Sequence, residues 1–241
     1  MLPEIQSTAL ELPFALEMLG VVVGSMCGAL AACARKLDIV GAAALAMVCG
    51  LGGGLIRDVI MQVGTVYLVD SAYGIPVSVA VGIVVFLFHS PFEKRTAAVE
   101  WLDIVAVALF AVAGADKALV WGKSLHVALL MGVLTGNGGG LLRDIVLGDV
   151  PQLFQKGNWY AICALFGSAA YIAAVEMGCD KGAAGTTAVV LIVALRRAAL
   201  RYNLQSVADV DLTPHVKRGI ELTRRGTYAD QARRRRQGQG R

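Results

Sequence analysis

The chain has 241 residues, of which 56% are hydrophobic and 17% are charged, and its formal net charge is +4. A soluble domain of this length would carry more charge, and the short alternating segments of a membrane β-barrel are absent. The composition therefore indicates an all-α membrane protein.

Seven apolar stretches follow one another along the chain, each near the ~20 residues that a helix needs to cross a bilayer. They cover residues 11–34, 39–63, 72–89, 99–118, 124–148, 157–176 and 182–200. We therefore predict seven transmembrane helices, numbered 1 to 7 in chain order, and no soluble domain of comparable size.

The five cysteines lie in or at the ends of these stretches and show no CxxC spacing. This pattern favours small buried side chains over ligands of a structural metal. No set of nucleophile, base and metal ligands converges in the sequence, so we predict that the protein is not an enzyme.

Lys and Arg in the short loops predict the orientation. The richer side carries Arg35, Lys36, Lys94, Arg95, Lys156 and the C-terminal residues, whereas the other side carries Lys117, Lys123 and Lys181. We expect a multi-pass protein of the inner membrane, with the N-terminus outside and the C-terminus in the cytoplasm.

Predicted helices 2 and 5 carry nearly the same eleven residues. Residues 50–60 read GLGGGLIRDVI and residues 136–146 read GNGGGLLRDIV, at an offset of 86. Three consecutive glycines are poor helix formers, and an Arg-Asp pair directly after them is costly at membrane depth. The double occurrence of both features predicts a duplicated membrane unit.

The offset of 86 residues also matches Glu17 with Asp103, which are expected to be boundary residues or, alternatively, part of an ion relay. Each unit holds three helices, an odd number, so the second unit should be inverted relative to the first. We predict a first three-helix repeat at 11–93, an inverted second repeat at 98–179 and a seventh helix at 180–201.

The two glycine runs have two interpretations. Small residues allow close helix packing, but successive residues point about 100° apart on a helix, so three adjacent glycines cannot all face one neighbour. A kink would free carbonyl oxygens, which suit a cation where they line a cavity. We favour kinks that line a pathway between helices 2 and 5, at Gly52, Gly53, Gly54, Gly138, Gly139 and Gly140.

Charged pairs follow the glycines, Arg57 with Asp58 and Arg143 with Asp144. Ionisable residues at this depth usually face a bundle interior or a water-filled cavity. The arginines are therefore candidates for gating a pore and the aspartates for holding them, while salt bridges that join helices are the alternative. The inversion would place Arg57 toward the outside and Arg143 toward the cytoplasm.

Three further side chains are candidates for lining the pathway: Lys117, Thr135 and Asn137. Lys117 lies late in helix 4 and either snorkels outward or lines the pore. Thr135 and Asn137 supply polar groups just before the second glycine run. Because Asn137 replaces Leu51 of the first copy, the pathway should be asymmetric there.

Residues 202–241 are basic and include Arg233 to Arg236. We predict a disordered cytoplasmic tail near anionic lipid. No aromatic interleaving or binding fold accompanies these charges, so no nucleic-acid partner is predicted.

The glycine motifs, together with LDIVAVALFAVAGADKAL at residues 102–119, resemble those of the prokaryotic trimeric intracellular cation (TRIC) channel family. The resemblance spans about residues 14–200. It implies a homotrimer of seven-helix protomers, each with a pore between helices kinked at the triple glycines. It also implies that potassium permeates in preference to other cations and that Arg57, Arg143 and Lys117 occlude the pore.

No cofactor is expected apart from the permeant potassium ion, although the membrane setting leaves room for a bound lipid. The leading function is therefore a passive potassium-permeable channel. A transporter of glycine or a similar small zwitterion is the alternative, with half-helix N-termini that bind a carboxylate. Kinked inverted repeats serve both functions, so the sequence leaves the choice open.

Overall fold

The computed structural model describes residues 4–88, 96–155 and 159–202, and for residues 4–15 and 96 it describes the backbone only. Over these ranges the fold is all-helical. Seven helices in these ranges have 14 residues or more, and we label them α1 to α7. They are α1 Glu4–Ala34, α2 Ile39–Met61, α3 Gly74–Leu87, α4 Thr96–Val120, α5 Leu125–Leu147, α6 Tyr160–Glu176 and α7 Lys181–Arg201.

Five of these helices are long and apolar enough to cross a membrane: α1 from Leu16, α2, α4, α5 and α7. Helices α3 and α6 are shorter than the predicted stretches 72–89 and 157–176, with 14 and 17 residues. At 1.5 Å per residue α3 spans about 21 Å, less than the ~30 Å of a hydrocarbon core. The chain is thus a multi-pass membrane protein, and a crossing by all seven helices stays a prediction.

Buried carboxylates at the ends of α2 and α5 bind the segments that precede α3 and α6. A short helix, Tyr67–Asp70, precedes α3, and a 3₁₀ turn, Gln152–Phe154, precedes α6. Asp58 Oδ2 accepts a hydrogen bond from Tyr67 N at 2.9 Å, and Asp144 Oδ2 accepts one from Gln152 N at 2.9 Å. The segment before α3 is therefore hydrogen-bonded to the end of α2, and the segment before α6 is hydrogen-bonded to the end of α5.

The two halves of the molecule pack in the same pattern. In residues 4–88, α1, α2 and α3 all contact one another, and in residues 96–176, α4, α5 and α6 do the same. Contacts of α1 with α4 and of α2 with α5 join the halves, and α7 packs on α4 and α6. This pattern supports two three-helix repeats, while the inversion of one repeat in the membrane stays a prediction.

Helix α4 is the central helix of the bundle, since α1, α5, α6 and α7 all pack against it. Its residues from Ala106 to Asp116 are all buried, as expected for a helix that is apolar on every face. Asp103 and Lys117 stand at the two ends of this segment. Fourteen residues separate them, or about 21 Å along the helix axis.

The predicted basic tail lies outside the described residues, apart from the exposed Tyr202. Lys94, Arg95 and Lys156, which contributed to the predicted orientation, also lie outside them.

Candidate functional site

Helices α2 and α5 meet at their glycine runs with the two backbones in contact. A Cβ atom added at Gly53 would overlap the carbonyl oxygen of Thr135, and one added at Gly139 would overlap that of Cys49. Cys49 and Thr135 are themselves 86 residues apart, so the two contacts are reciprocal. Reciprocal contacts are typical of an interface between two equivalent units.

The first glycine of each run also faces the opposite helix. A Cβ at Gly52 would lie 2.7 Å from Leu142 Cδ1, and one at Gly138 would lie 3.0 Å from Ile56 Cδ1. Ile56 and Leu142 again correspond at the offset of 86. Two of the three glycines in each run therefore permit close helix packing, which the sequence analysis held to be the less favoured interpretation.

The third glycine of each run faces its charged cluster instead. A Cβ at Gly54 would lie 3.8 Å from Arg57 Nη2, and one at Gly140 would lie 3.3 Å from Tyr160 Oη, 3.7 Å from Asp103 Oδ1 and 3.9 Å from Arg143 Nη2. Helices α2 and α5 continue as α-helix through both runs. A bend at the glycines stays a prediction.

The Arg57 cluster consists of Glu17, Arg57, Asp58 and Lys117, from α1, α2 and α4. Arg57 is fully buried, and its Nε donates to Asp58 Oδ1 at 2.7 Å. Arg57 Nη1 forms an ion pair with Glu17 Oε1. Lys117 Nζ lies 2.7 Å from Asp58 Oδ1, so two cations balance two carboxylates.

The Arg143 cluster consists of Cys27, Asp103, Arg143, Asp144 and Tyr160, from α1, α4, α5 and α6. Arg143 Nη1 donates to Asp103 Oδ1 at 3.0 Å, and Nε donates to Asp144 Oδ1 at 2.9 Å. Tyr160 Oη also donates to Asp103, and Arg143 Nη1 lies 3.3 Å from Cys27 Sγ. Two carboxylates face one cation, so this cluster carries a formal charge of −1.

The two clusters lie at opposite ends of the glycine contact, because Lys117 belongs to one end of α4 and Asp103 to the other. In each cluster an arginine binds the aspartate that follows it and an acid of α1 or α4. A buried arginine without such partners would be strongly destabilising. The charged pairs therefore do join helices, and this arrangement is compatible with gating.

A cleft of about 480 Å³ reaches the Arg143 cluster from one end of the bundle. Asp103, Arg143 and Asp144 line its inner part. An exposed ion pair between Arg35 and Asp149 joins the loop after α1 to the loop after α5. The charged residues in its lining are four acids and three arginines: Glu100, Asp103, Asp144, Asp149, Arg35, Arg143 and Arg196.

The remaining candidates from the sequence are placed differently. Lys117 joins the Arg57 cluster and remains partly exposed. Thr135 and Asn137 are buried and do not line the cleft. The Nδ2 atom of Asn137 donates to the carbonyl oxygen of Val133 at 2.7 Å, and Thr135 Oγ1 has no hydrogen-bond partner among the described residues.

Sequence reasoning missed Cys27 and Tyr160 in the Arg143 cluster. Their equivalents at the offset of 86 are Ala113 and Gly74, so the repeat carried no signal for either residue. The match between Glu17 and Asp103 did carry one, since both acids pair with the arginine of their own repeat.

Comparison with known proteins identifies relatives along most of the chain. The sequence model of a family described as "Glycine transporter" matches residues 14–90 and again 100–176. The UPF0126 membrane protein of Vibrio cholerae is 30% identical over 200 residues, which cover 82% of this chain and 83% of that protein. The UPF0126 inner membrane protein YadS of Escherichia coli K12 is 27% identical over 191 residues, or 79% and 92% of the two chains.

Solved structures share the fold. A TRIC trimeric intracellular cation channel orthologue from Rhodobacter sphaeroides superposes with a TM-score of 0.75 at 32% identity. The match covers 80% of this chain and 99% of that chain. A second TRIC cation channel structure gives a TM-score of 0.73 at 22% identity, over 82% and 97% of the two chains.

Proposed function

The chain belongs to the prokaryotic TRIC channel family, for which the matching sequence model carries the description "Glycine transporter", and from this membership we propose that it is a cation channel that prefers potassium. The pore lies within each protomer, between α2 and α5. The protomers assemble as homotrimers in the inner membrane, with the N-terminus outside.

One observation carries this proposal: a cleft lined by more acids than arginines reaches the Arg143 cluster, beside the glycine contact. A Cβ at Gly140 would lie 3.3 Å from Tyr160 Oη and 3.7 Å from Asp103 Oδ1. The cluster has an unbalanced carboxylate, and fixed negative charge in a cleft concentrates cations. The site thus combines cation attraction with a narrow contact between two helices.

In the proposed mechanism the described conformation is closed. The backbones of α2 and α5 touch at Gly53 and Gly139, which leaves no room for an ion between them there. Conduction requires these helices to separate or bend at the glycines, with carbonyl oxygens replacing part of the hydration shell of the ion. Arg57 and Arg143 then control the two ends of the path by their positive charge.

Single-protein recording in a planar bilayer tests the proposal. The purified full-length chain should give discrete current steps whose reversal potential follows the potassium gradient and shifts strongly when sodium replaces potassium on one side. Currents without discrete steps, or a reversal potential set by the anion gradient, would contradict a cation channel. Cross-linking in native membranes should give a ladder that ends at the trimer.

The transporter of glycine or a similar zwitterion is the second candidate. Its proposed ligand site needs half-helix N-termini, whereas α2 and α5 run unbroken through their glycines. It is therefore supported by the description of the family rather than by this geometry. Saturable uptake of labelled glycine into proteoliposomes, without current steps in the bilayer, would favour the transporter over the channel.

A further inference from the structure

Arg196 of α7 is a buried cation that stacks on the ring of Tyr160. Only 6% of the residue is exposed, and its guanidinium carbon lies 4.6 Å from the ring centroid. Its Nε and Nη1 atoms have no hydrogen-bond partner among the described residues. Arg196 also lines the cleft, yet it forms no ion pair with the acids there. A buried charge is costly unless it is compensated, and the direct contact that compensates this one is the Tyr160 ring.

The Tyr160 side chain connects this charge to the Arg143 cluster. Its hydroxyl donates to Asp103 Oδ2, while Asp103 Oδ1 accepts from Arg143 Nη1 at 3.0 Å. Because the two donors use different oxygens, the hydroxyl fixes the rotation of the carboxylate that presents Oδ1 to Arg143. Side chains of α7, α6, α4 and α5 thus form one line of contacts from Arg196 to Arg143.

Two physical effects act along this line. A cation over the face of a phenol ring attracts the ring electrons, so the hydroxyl becomes a stronger donor to Asp103, as in other chains of polarised hydrogen bonds. The stack also holds the ring in place, so the hydroxyl stays directed at Asp103. Both effects stabilise the ion pair of Asp103 with Arg143.

The Arg57 cluster has no counterpart of this arrangement. The equivalent of Tyr160 in the first repeat is Gly74, and α7 belongs to neither repeat. The second cation of the Arg57 cluster is Lys117, which contacts Asp58 directly. The stacked arginine therefore acts on one of the two clusters only.

We propose that Arg196 is a positioning residue, which acts through Tyr160 and Asp103 to hold Arg143 in the closed conformation of the pore. The seventh helix thereby controls one end of the ion path. The effect on ion flow rests on the proposed channel function, whereas the hold on the Arg143 cluster does not. The two are therefore measured separately.

The first measurement needs no current, because Cys27 reports on the Arg143 cluster. Its Sγ atom is buried 3.3 Å from Arg143 Nη1. The rate at which iodoacetamide alkylates Cys27 in the folded full-length protein in detergent is followed by peptide mass spectrometry. Arg196→Met and Tyr160→Phe should each raise this rate several-fold, and the double variant should raise it no further. Additive effects would show that Arg196 does not act through Tyr160 and would overturn the proposal.

Matched variants separate the charge of Arg196 from its volume. Arg196→Met fills similar space without charge and leaves no described acceptor unpaired, so it should fold. Arg196→Lys keeps a cation over the ring and should retain most of the slow alkylation. Arg197→Gln should leave the rate unchanged, because Arg197 is exposed and stacks on Trp101 instead. Slow alkylation in Arg196→Met would reduce Arg196 to a space-filling residue and overturn the proposal.

The second measurement is the open probability in a planar bilayer. Arg196→Met and Tyr160→Phe should raise it several-fold, and Tyr160→Phe does so without changing any charge of the cleft. Faster alkylation with an unchanged open probability would overturn the effect on gating. Faster alkylation without current in any variant or in the unmodified chain would refute the channel function and leave the hold on Arg143 intact. Normal currents with unchanged alkylation would overturn the positioning alone.

Discussion

At the scale of single residues, Arg57 and Arg143 occupy equivalent positions in the two repeats but differ in their surroundings. Arg57 belongs to a cluster with balanced charge, because Lys117 adds a second cation. Arg143 faces Asp103 and Asp144 as the single cation of its cluster. Chemical asymmetry between the two ends of the proposed pathway thus follows from Lys117, in addition to the predicted asymmetry at Asn137.

Arg143→Ala should both destabilise the protein and change its current. The substitution leaves the buried Asp144 and the partly buried Asp103 without their cation, and breaking a buried pair typically costs about 3–5 kcal/mol. We expect a lower melting temperature in detergent and, in the channels that do fold, a larger cation current. Arg143→Lys is the control, because it keeps the charge and loses the forked geometry. Unchanged stability and unchanged current in the alanine variant would leave Arg143 without either function.

Asp103→Asn should lower the cation current several-fold, because it removes the unbalanced carboxylate at the inner part of the cleft. The matched control is Glu100→Gln. Glu100 lines the same cleft, but it is exposed and paired with Arg197. Currents of both variants are to be compared at equal amounts of protein in the bilayer. Equal currents in the two variants would show that the position of the charge in the Arg143 cluster is irrelevant.

At the scale of helices, the three glycines of each run have different structural functions. The first two glycines of each run allow α2 and α5 to touch, and the third leaves room for an arginine. Replacement of all three by alanine would therefore mix a packing defect with any effect on bending. Single substitutions separate these contributions.

Gly53→Ala should destabilise the protein, because its Cβ would overlap the Thr135 carbonyl oxygen. Overpacking of this kind costs about 1–3 kcal/mol. Gly54→Ala is the matched control, since its Cβ finds its nearest neighbour 3.8 Å away and alanine favours the helix by about 1 kcal/mol. Melting temperature and potassium flux should be measured for both variants. A loss of flux in Gly54→Ala without a loss of stability would support bending at the glycines.

The sequence identified most of the charged residues of the two clusters, but not the ion pairs that Glu17 and Asp103 form with the arginines. The offset of 86 residues located both Arg-Asp pairs and matched Glu17 with Asp103, because acidic residues occupy the same positions in both repeats. The close helix contact at Gly53 was underestimated, because the sequence argument assumed that all three glycines would have to face the same neighbouring helix. In the fold they have two neighbours, the opposite helix and the arginine. The hydrogen bond from Tyr67 N to Asp58, which ties the short helix before α3 to the end of α2, was not predictable from hydropathy.

At the scale of the whole molecule, the halves form the same internal contacts and meet through pairs of equivalent helices. Such reciprocity is expected if the second repeat is inverted in the bilayer, as its odd number of helices predicts. Two exposed residues allow this to be tested: Val69, in the short helix before α3, and Phe154, in the turn before α6.

Cysteines introduced at Val69 and at Phe154 should react with a membrane-impermeant maleimide from opposite sides of the membrane, Val69→Cys from outside and Phe154→Cys from the cytoplasm. The background carries serine at Cys33 and Cys179, and the other native cysteines, Cys27, Cys49 and Cys163, are buried. Labelling should be compared in intact cells and in inverted vesicles. Reaction of both positions from the same side would rule out the inversion.

The composition of the two charged clusters has a consequence for how the chain enters the membrane during synthesis. Glu17, Arg57 and Asp58 all belong to the first repeat, and Asp103, Arg143 and Asp144 all belong to the second. Each arginine can therefore be neutralised by acids of its own repeat, and Arg57 can be neutralised before the second repeat has left the ribosome. The costly charges are shielded locally and early, and the later meeting of α2 with α5 joins two units through glycine surfaces that carry no charge.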